Sequence, residues 1–140
     1  MSHDASKQVM GGTNSSFKIA DNKKGNIKAG LAVRLKSDDT LTLTKAEGSL
    51  LGISLGKDMG GAGHTVICKA GVSVPVLVAS GVTPVLGGQV GISDSTGEAG
   101  PVATGYTAVN AYFTKIGLTA IEEDGTMTAD CALVDIVGGL

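Results

Sequence analysis

The residues with the strongest claim on chemistry lie at positions 56–66, GKDMGGAGHTV, where Lys57, Asp58, His64 and Thr65 surround four glycines. A phosphate-cradling loop needs its glycines to lead into Lys-Ser/Thr at the start of a helix, so that the lysine meets the terminal phosphates and the hydroxyl meets the metal. Here Gly63 leads into His64-Thr65, and Lys57 comes before the glycines. The continuation TVICKAG is β-branched and apolar, whereas a dinucleotide fingerprint also requires a helix after its glycines. The segment therefore reads as a turn, with LLGISL and HTVICKA as the two strands of one hairpin.

The remaining reactive side chains do not assemble in sequence. His64 is the only histidine besides His3, and no Gly-x-Ser-x-Gly elbow accompanies it. DSTG at 94–97 is one residue too long for the Asp-Thr/Ser-Gly of an aspartic protease. Glu122, Glu123 and Asp124 are adjacent where a turn is expected, and their spacing is not that of a calcium loop. Asp38 and Asp39 read as another turn, and Lys23 and Lys24 are too few for a basic patch. Cys68 and Cys131 each sit in an apolar run and read as buried free thiols, with a disulfide between them left open. No paired histidines stand near them, which argues against a metal site. The expectation is a protein without catalytic residues, cofactor or metal.

Something other than chemistry must then explain the elements. A chain of 140 residues suggests one domain, large enough to bury a core without staples. Glycine is abundant, at 22 residues, and the apolar residues are mostly Val, Leu, Ile and Ala, which points to an all-β domain of short strands forming a small β-barrel or β-sandwich. A net charge of −2 argues against a nucleic-acid partner, and the few aromatics argue against base or sugar stacking. Residues 1–16 are small and polar and read as a flexible arm without a signal-peptide core, followed by a single domain at 17–140. The longest apolar stretch, VSVPVLVASGVTPVLGG, is broken by Pro75, Gly81 and Pro84 and reads as strand, turn, strand rather than as a membrane span.

Strands are expected at FKIA, LAVRLK, LTLT, LGISL, HTVICKA, VSVPVLVA, QVGIS, PVAT, KIGLTA and CALVDIV. In LAVRLK, Leu31, Val33 and Leu35 alternate with Ala32, Arg34 and Lys36, the pattern of a half-buried strand. Pro75 places VSVPVLVA at a sheet edge or at a bulge. GYTAVNAYF fits one helical turn, with Tyr106, Val109 and Tyr112/Phe113 on one face, or a loop. There is also a faint repeat: Gly30, Val33 and Leu35 recur at the same spacing as Gly87, Val90 and Ile92. LLGISL is matched later by KIGLTA, and each leads to a strand carrying a cysteine.

Together IKAGLAVRL, LLGISLGKDMGGAGHTVICKAGVSVPV and GGQVGIS give an order of elements that resembles the capsid decoration, or cement, proteins of tailed phages and prophages, over roughly residues 27–137. The Tyr-rich segment before KIGLTA departs from the simplest form of that pattern. The resemblance implies a β-barrel-like domain, made in the bacterial host cytoplasm and carried on the outer surface of the virion capsid. It implies a homo-oligomer, favouring a trimer, that binds the major capsid protein of the phage head and stabilises the shell against DNA pressure, with no enzymatic, nucleic-acid or membrane role. Contacts with capsid or sister subunits would fall on the arm, at Ser2, Lys7, Val9 and Met10, on Phe17, and on Val74, Pro75 and Val76. The alternatives are another β-rich phage module, such as a tail or fibre component, and a small ligand-binding β-barrel.

Overall fold

The computed structural model describes residues 13–18, 27–57, 64–121 and 127–140. They form an all-β protein with nine strands: β1 (Thr13–Lys18), β2 (Ala32–Leu35), β3 (Leu41–Thr42), β4 (Ser49–Lys57), β5 (His64–Leu77), β6 (Gln89–Ser93), β7 (Ala99–Pro101), β8 (Tyr106–Ile121) and β9 (Met127–Ile136). Among the described residues the only helical piece is a 3₁₀ turn at Lys45–Glu47. The strands run antiparallel in the order β3-β2-β4-β5-β9-β8-β6-β7, with β1 pairing β5 beside this path. The sheet curls into an open half-barrel.

Several strands are longer than their sequence patterns suggest. HTVICKA and VSVPVLVA are parts of one strand, the 14-residue β5. Its register slips between Gly71 and Val74, Ser73 adopts a left-handed φ of 53°, and the Ser73 N–H donates to Asp135 Oδ1 at 2.9 Å. This bulge immediately precedes Pro75 and lets a single strand bend instead of ending. GYTAVNAYF is neither helix nor loop but the first part of the 16-residue β8. Val109, Ala111 and Phe113 point inward while Ala108, Asn110 and Tyr112 are exposed, a period of two that separates Tyr112 from Phe113. β4 pairs antiparallel with β5, as expected for LLGISL and HTVICKA, while residues 58–63 lie outside the described residues. β1 begins at Thr13, inside the segment read as an arm.

The faint repeat corresponds to a structural duplication. β2-β3-β4-β5 and β6-β7-β8-β9 have the same order, and the sheet path is a palindrome with β5 and β9 at its centre. Gly30 and Gly87 both take positive φ, 90° and 75°. Gly30 N donates to Ser54 O and Ser54 N to Leu31 O, both at 2.8 Å. In the second repeat Gly87 N donates to Phe113 O at 2.8 Å and Phe113 N to Gly88 O at 3.0 Å. The β2–β3 turn bonds Lys36 N to Thr40 O and Asp39 N to Lys36 O; the longer β6–β7 turn bonds Ser93 N to Glu98 O and Gly97 N to Ser93 O. These bonds make Ser54 the counterpart of Phe113. The match of LLGISL to KIGLTA is therefore corrected, because KIGLTA lies further along β8, past one register slip and containing a second.

The repeats do not bury the same face. The row Ala32–Ile53–Cys68, paired across β2, β4 and β5, is buried in the main core. The equivalent row Gln89–Tyr112–Asp135, across β6, β8 and β9, lies on the opposite side from the core residues Val90, Phe113 and Val134. The main core thus joins one face of the first repeat to the other face of the second. A second cluster of Ile27, Val33, Leu41 and Ile67 packs on the first repeat's remaining face. LAVRLK is consequently buried on both faces up to Arg34, which is 1% exposed, rather than half-buried. Phe113 is the largest apolar side chain in the core, and burial of a side chain of this size contributes about 2–3 kcal/mol.

Candidate functional site

The most developed polar cluster among the described residues surrounds Arg34, where the curled sheet brings the first repeat against the β6–β7 turn. Arg34 Nη1 donates to Leu43 O at 2.7 Å and to Ser93 O at 3.3 Å, and Nη2 lies 3.8 Å from Asp94 Oδ1. Nη2 is buried with no hydrogen-bond partner, so its stabilisation is the Coulombic attraction of Asp94. Burial pushes the guanidinium pKa down and the Asp94 carboxylate opposes that shift. Asp94 is held from three directions: Thr107 Oγ1 donates to Oδ1 at 2.7 Å, Asp94 N donates to Gly105 O at 2.9 Å, and Lys45 N donates to Asp94 O at 2.8 Å. Lys45 Nζ stands 4.0 Å from Oδ2.

Backbone bonds extend the seam. Ala32 N donates to Gly97 O at 2.8 Å, and Ala79 N to Ala99 O at 2.9 Å beside a parallel bridge from Val78 to Ala99. The first contact links β2, near one end of the sheet, to the β6–β7 turn at the other, and the second ties the segment after the central β5 to β7. Arg34 acts as a clasp: a buried cation that satisfies two carbonyls from different repeats, with its charge compensated at the surface. Its counterpart in the second repeat is Gly91, where an added Cβ would lie 3.0 Å from Pro101 O. The clasp therefore exists once. Sequence reading placed Arg34 on the outer face of its strand; the one available signal was an arginine aligned with a glycine in the repeat.

The clasp has the chemistry of a structural site: its carboxylate is engaged by the Thr107 hydroxyl and by two cations, Arg34 and Lys45. A depression lined by Leu35–Ser37 and Lys45–Ser49 is open and spanned by a Lys36–Glu47 ion pair at 3.8 Å. Among the described residues no group of three or more His, Cys, Asp or Glu could hold a metal ion, and no helix is long and apolar enough to cross a membrane.

The residues expected to make contacts are dispersed. Ser2, Lys7, Val9 and Met10 lie outside the described residues. Phe17 is in β1, in register with Thr65. Pro75 is exposed on β5, but Val74 and Val76 are 0% and 1% exposed, so their side chains serve the core. Cys68 and Cys131 are free thiols. Cys131 pairs with Leu77, nine residues along β5 from Cys68, roughly 30 Å at about 3.3 Å per residue, which leaves them too far apart for a disulfide.

What sequence reading missed is a corner of exposed apolar side chains. Val72, Val85, Leu86, Tyr112 and Val137 are all at least 43% exposed. Tyr112 is in register with Gln89 on one side and Asp135 on the other, and Val137 N donates to Asn110 O. The bulge carrying Val72 lies opposite Asp135, and Val85 and Leu86 form the turn that leads into β6. Residues from separate strands meet here, which no single motif could signal. No family model, curated protein or solved structure matches this chain.

Proposed function

We propose that this chain is a structural binding protein of a phage capsid, attached to the outside of the assembled head as a small homo-oligomer and reinforcing it. The observation that carries the reading is a rigid sheet with an exposed apolar corner, while the described polar cluster is spent on closing the fold. Contiguous exposed apolar surface on a soluble domain marks a protein contact. The order of glycine and aliphatic motifs that resembles cement proteins supplies the partner. A small oligomer spanning several shell subunits gains avidity from linked weak contacts, and only the assembled shell offers the composite site. Reinforcement follows by mass action, since a protein that binds only the assembled state stabilises it.

The test is co-sedimentation of purified chain with DNA-filled heads of the phage that encodes it, against dissociated shell protein. Saturable binding to heads and none to dissociated subunits is expected. Failure to bind heads in physiological salt would overturn the reading.

A further inference from the structure

Two strands share one edge of β5, and the place where they meet lies at the border of the apolar corner. Thr65, Ile67 and Cys68 of β5 each have one partner in β4 and another in β1, so β1 lies on the edge away from β4. β9 occupies that same edge further along, opposite Gly71–Leu77. The two strands run end to end: Ile136 closes β9 opposite Gly71, and Thr13 opens β1 opposite Ala70. The edge therefore has no room for an extension of β1 ahead of Thr13. Directly beyond Ile136 stands Val137, 60% exposed, whose N–H donates to Asn110 O on β8. Tyr112, 43% exposed, is on the same strand, in register with Asp135.

Twelve residues, MSHDASKQVMGG, precede β1 and lie outside the described residues. Their one adjacent pair of large apolar side chains is Val9-Met10, and Gly11-Gly12 separates it from β1. Glycines in that place accept the sharp change of direction that the occupied edge demands. At about 3.3 Å per residue, Met10 and Val9 come within roughly 10–13 Å of Thr13. Val137 follows the end of β9, and Tyr112 stands one strand spacing, about 4.8 Å, to the side of Asp135. Both are within that reach.

We infer that residues 1–12 fold over the corner of their own chain, with Val9 and Met10 against Val137 and Tyr112. Tethering favours this occupant over a separate molecule. A segment joined through a short flexible link faces its site at an effective concentration in the millimolar range, far above that of any free chain at micromolar concentration. The duplication shows that the corner is not a folding requirement. The Lys28–Ala29–Gly30 and Val85–Leu86–Gly87 turns have the same left-handed glycine and equivalent bonds to β4 and β8, yet only the second exposes an apolar pair. A partner for the corner must displace the cover, which makes the apolar surface conditional rather than permanently open. The cover is a property of the free chain and stands apart from the capsid reading.

The experiment is photocrosslinking of the full chain at low micromolar concentration, with a benzophenone amino acid in place of Met10. The product is sized on a denaturing gel and its crosslinked residue located by mass spectrometry. A product at the single-chain mass, joined at Val137, Tyr112 or a residue next to either, is expected. A product of two chains, a junction elsewhere in the chain, or no junction would overturn the inference. A second measurement needs no photoreactive group. V9S/M10S, with unchanged circular dichroism, is expected to bind a hydrophobic fluorescent dye at least twofold more than wild type, and equal dye binding would contradict the cover. Neither measurement uses phage heads, so either can fail while the capsid reading stands.

Discussion

Arg34 is the residue on which closure of the sheet depends. Replacing it with methionine keeps much of the volume but leaves Leu43 O and Ser93 O without their donor. Loss of a buried charged donor costs about 2–4 kcal/mol, and chemical denaturation should show an unfolding free energy lower by that amount, with a correspondingly lower midpoint. Asp94→Asn should cost less, because Asp94 is partly exposed and its backbone bonds persist. The cysteines give a second check. Burial pushes both thiols above their ordinary range, so they stay protonated and slow to react at neutral pH. A thiol reagent should label Cys131 before the fully buried Cys68, and both only quickly after unfolding; a Cys68–Cys131 disulfide in native protein would contradict the strand register. Asp38 has a lowered pKa because the Thr40 hydroxyl, then the Thr40 N–H, donates to it. A depressed folded pKa means this contribution is present above the unfolded carboxylate range and lost as pH falls through the folded value. NMR titration should find Asp38 ionising below an ordinary aspartate.

At the scale of elements, the turns distinguish two uses of glycine. Gly87 and Gly97 both have φ of 75°, but a Cβ on Gly87 would meet open space while one on Gly97 would collide with the Ala32 carbonyl oxygen at the seam. Gly87→Ala should cost about 1 kcal/mol from backbone strain alone. Gly97→Ala should cost clearly more, and equal melting temperatures for the two variants would show that the seam is not tight. Most strands were legible in the sequence because period two survives in single strands: QVGIS coincides with β6, and CALVDIV falls largely within β9. TAVNAYF carries the same alternation in Val109, Ala111 and Phe113, obscured because Tyr106, Val109 and Tyr112 also fit a helical spacing. The joining of HTVICKA to VSVPVLVA was not legible, since glycine and proline mark bulges and strand ends alike. Arg34 and the apolar corner were hidden for another reason: each depends on which face a curled sheet turns inward, a property of the whole sheet.

For the molecule as a whole, the two repeats share one continuous core, so neither should hold its structure alone. Ile53 and Cys68 from the first repeat and Val90, Phe113 and Val134 from the second belong to the same cluster. This use of opposite faces leaves the row around Tyr112 in the second repeat outside the shared core. The capsid role proposed above asks for contact surfaces presented in many copies. The most direct test of the capsid role is the amount of this chain in purified, intact particles of the phage that encodes it, measured by mass spectrometry against the major shell protein. The account predicts a copy number comparable to that of the shell subunit; only a few copies per particle, or none, would contradict it.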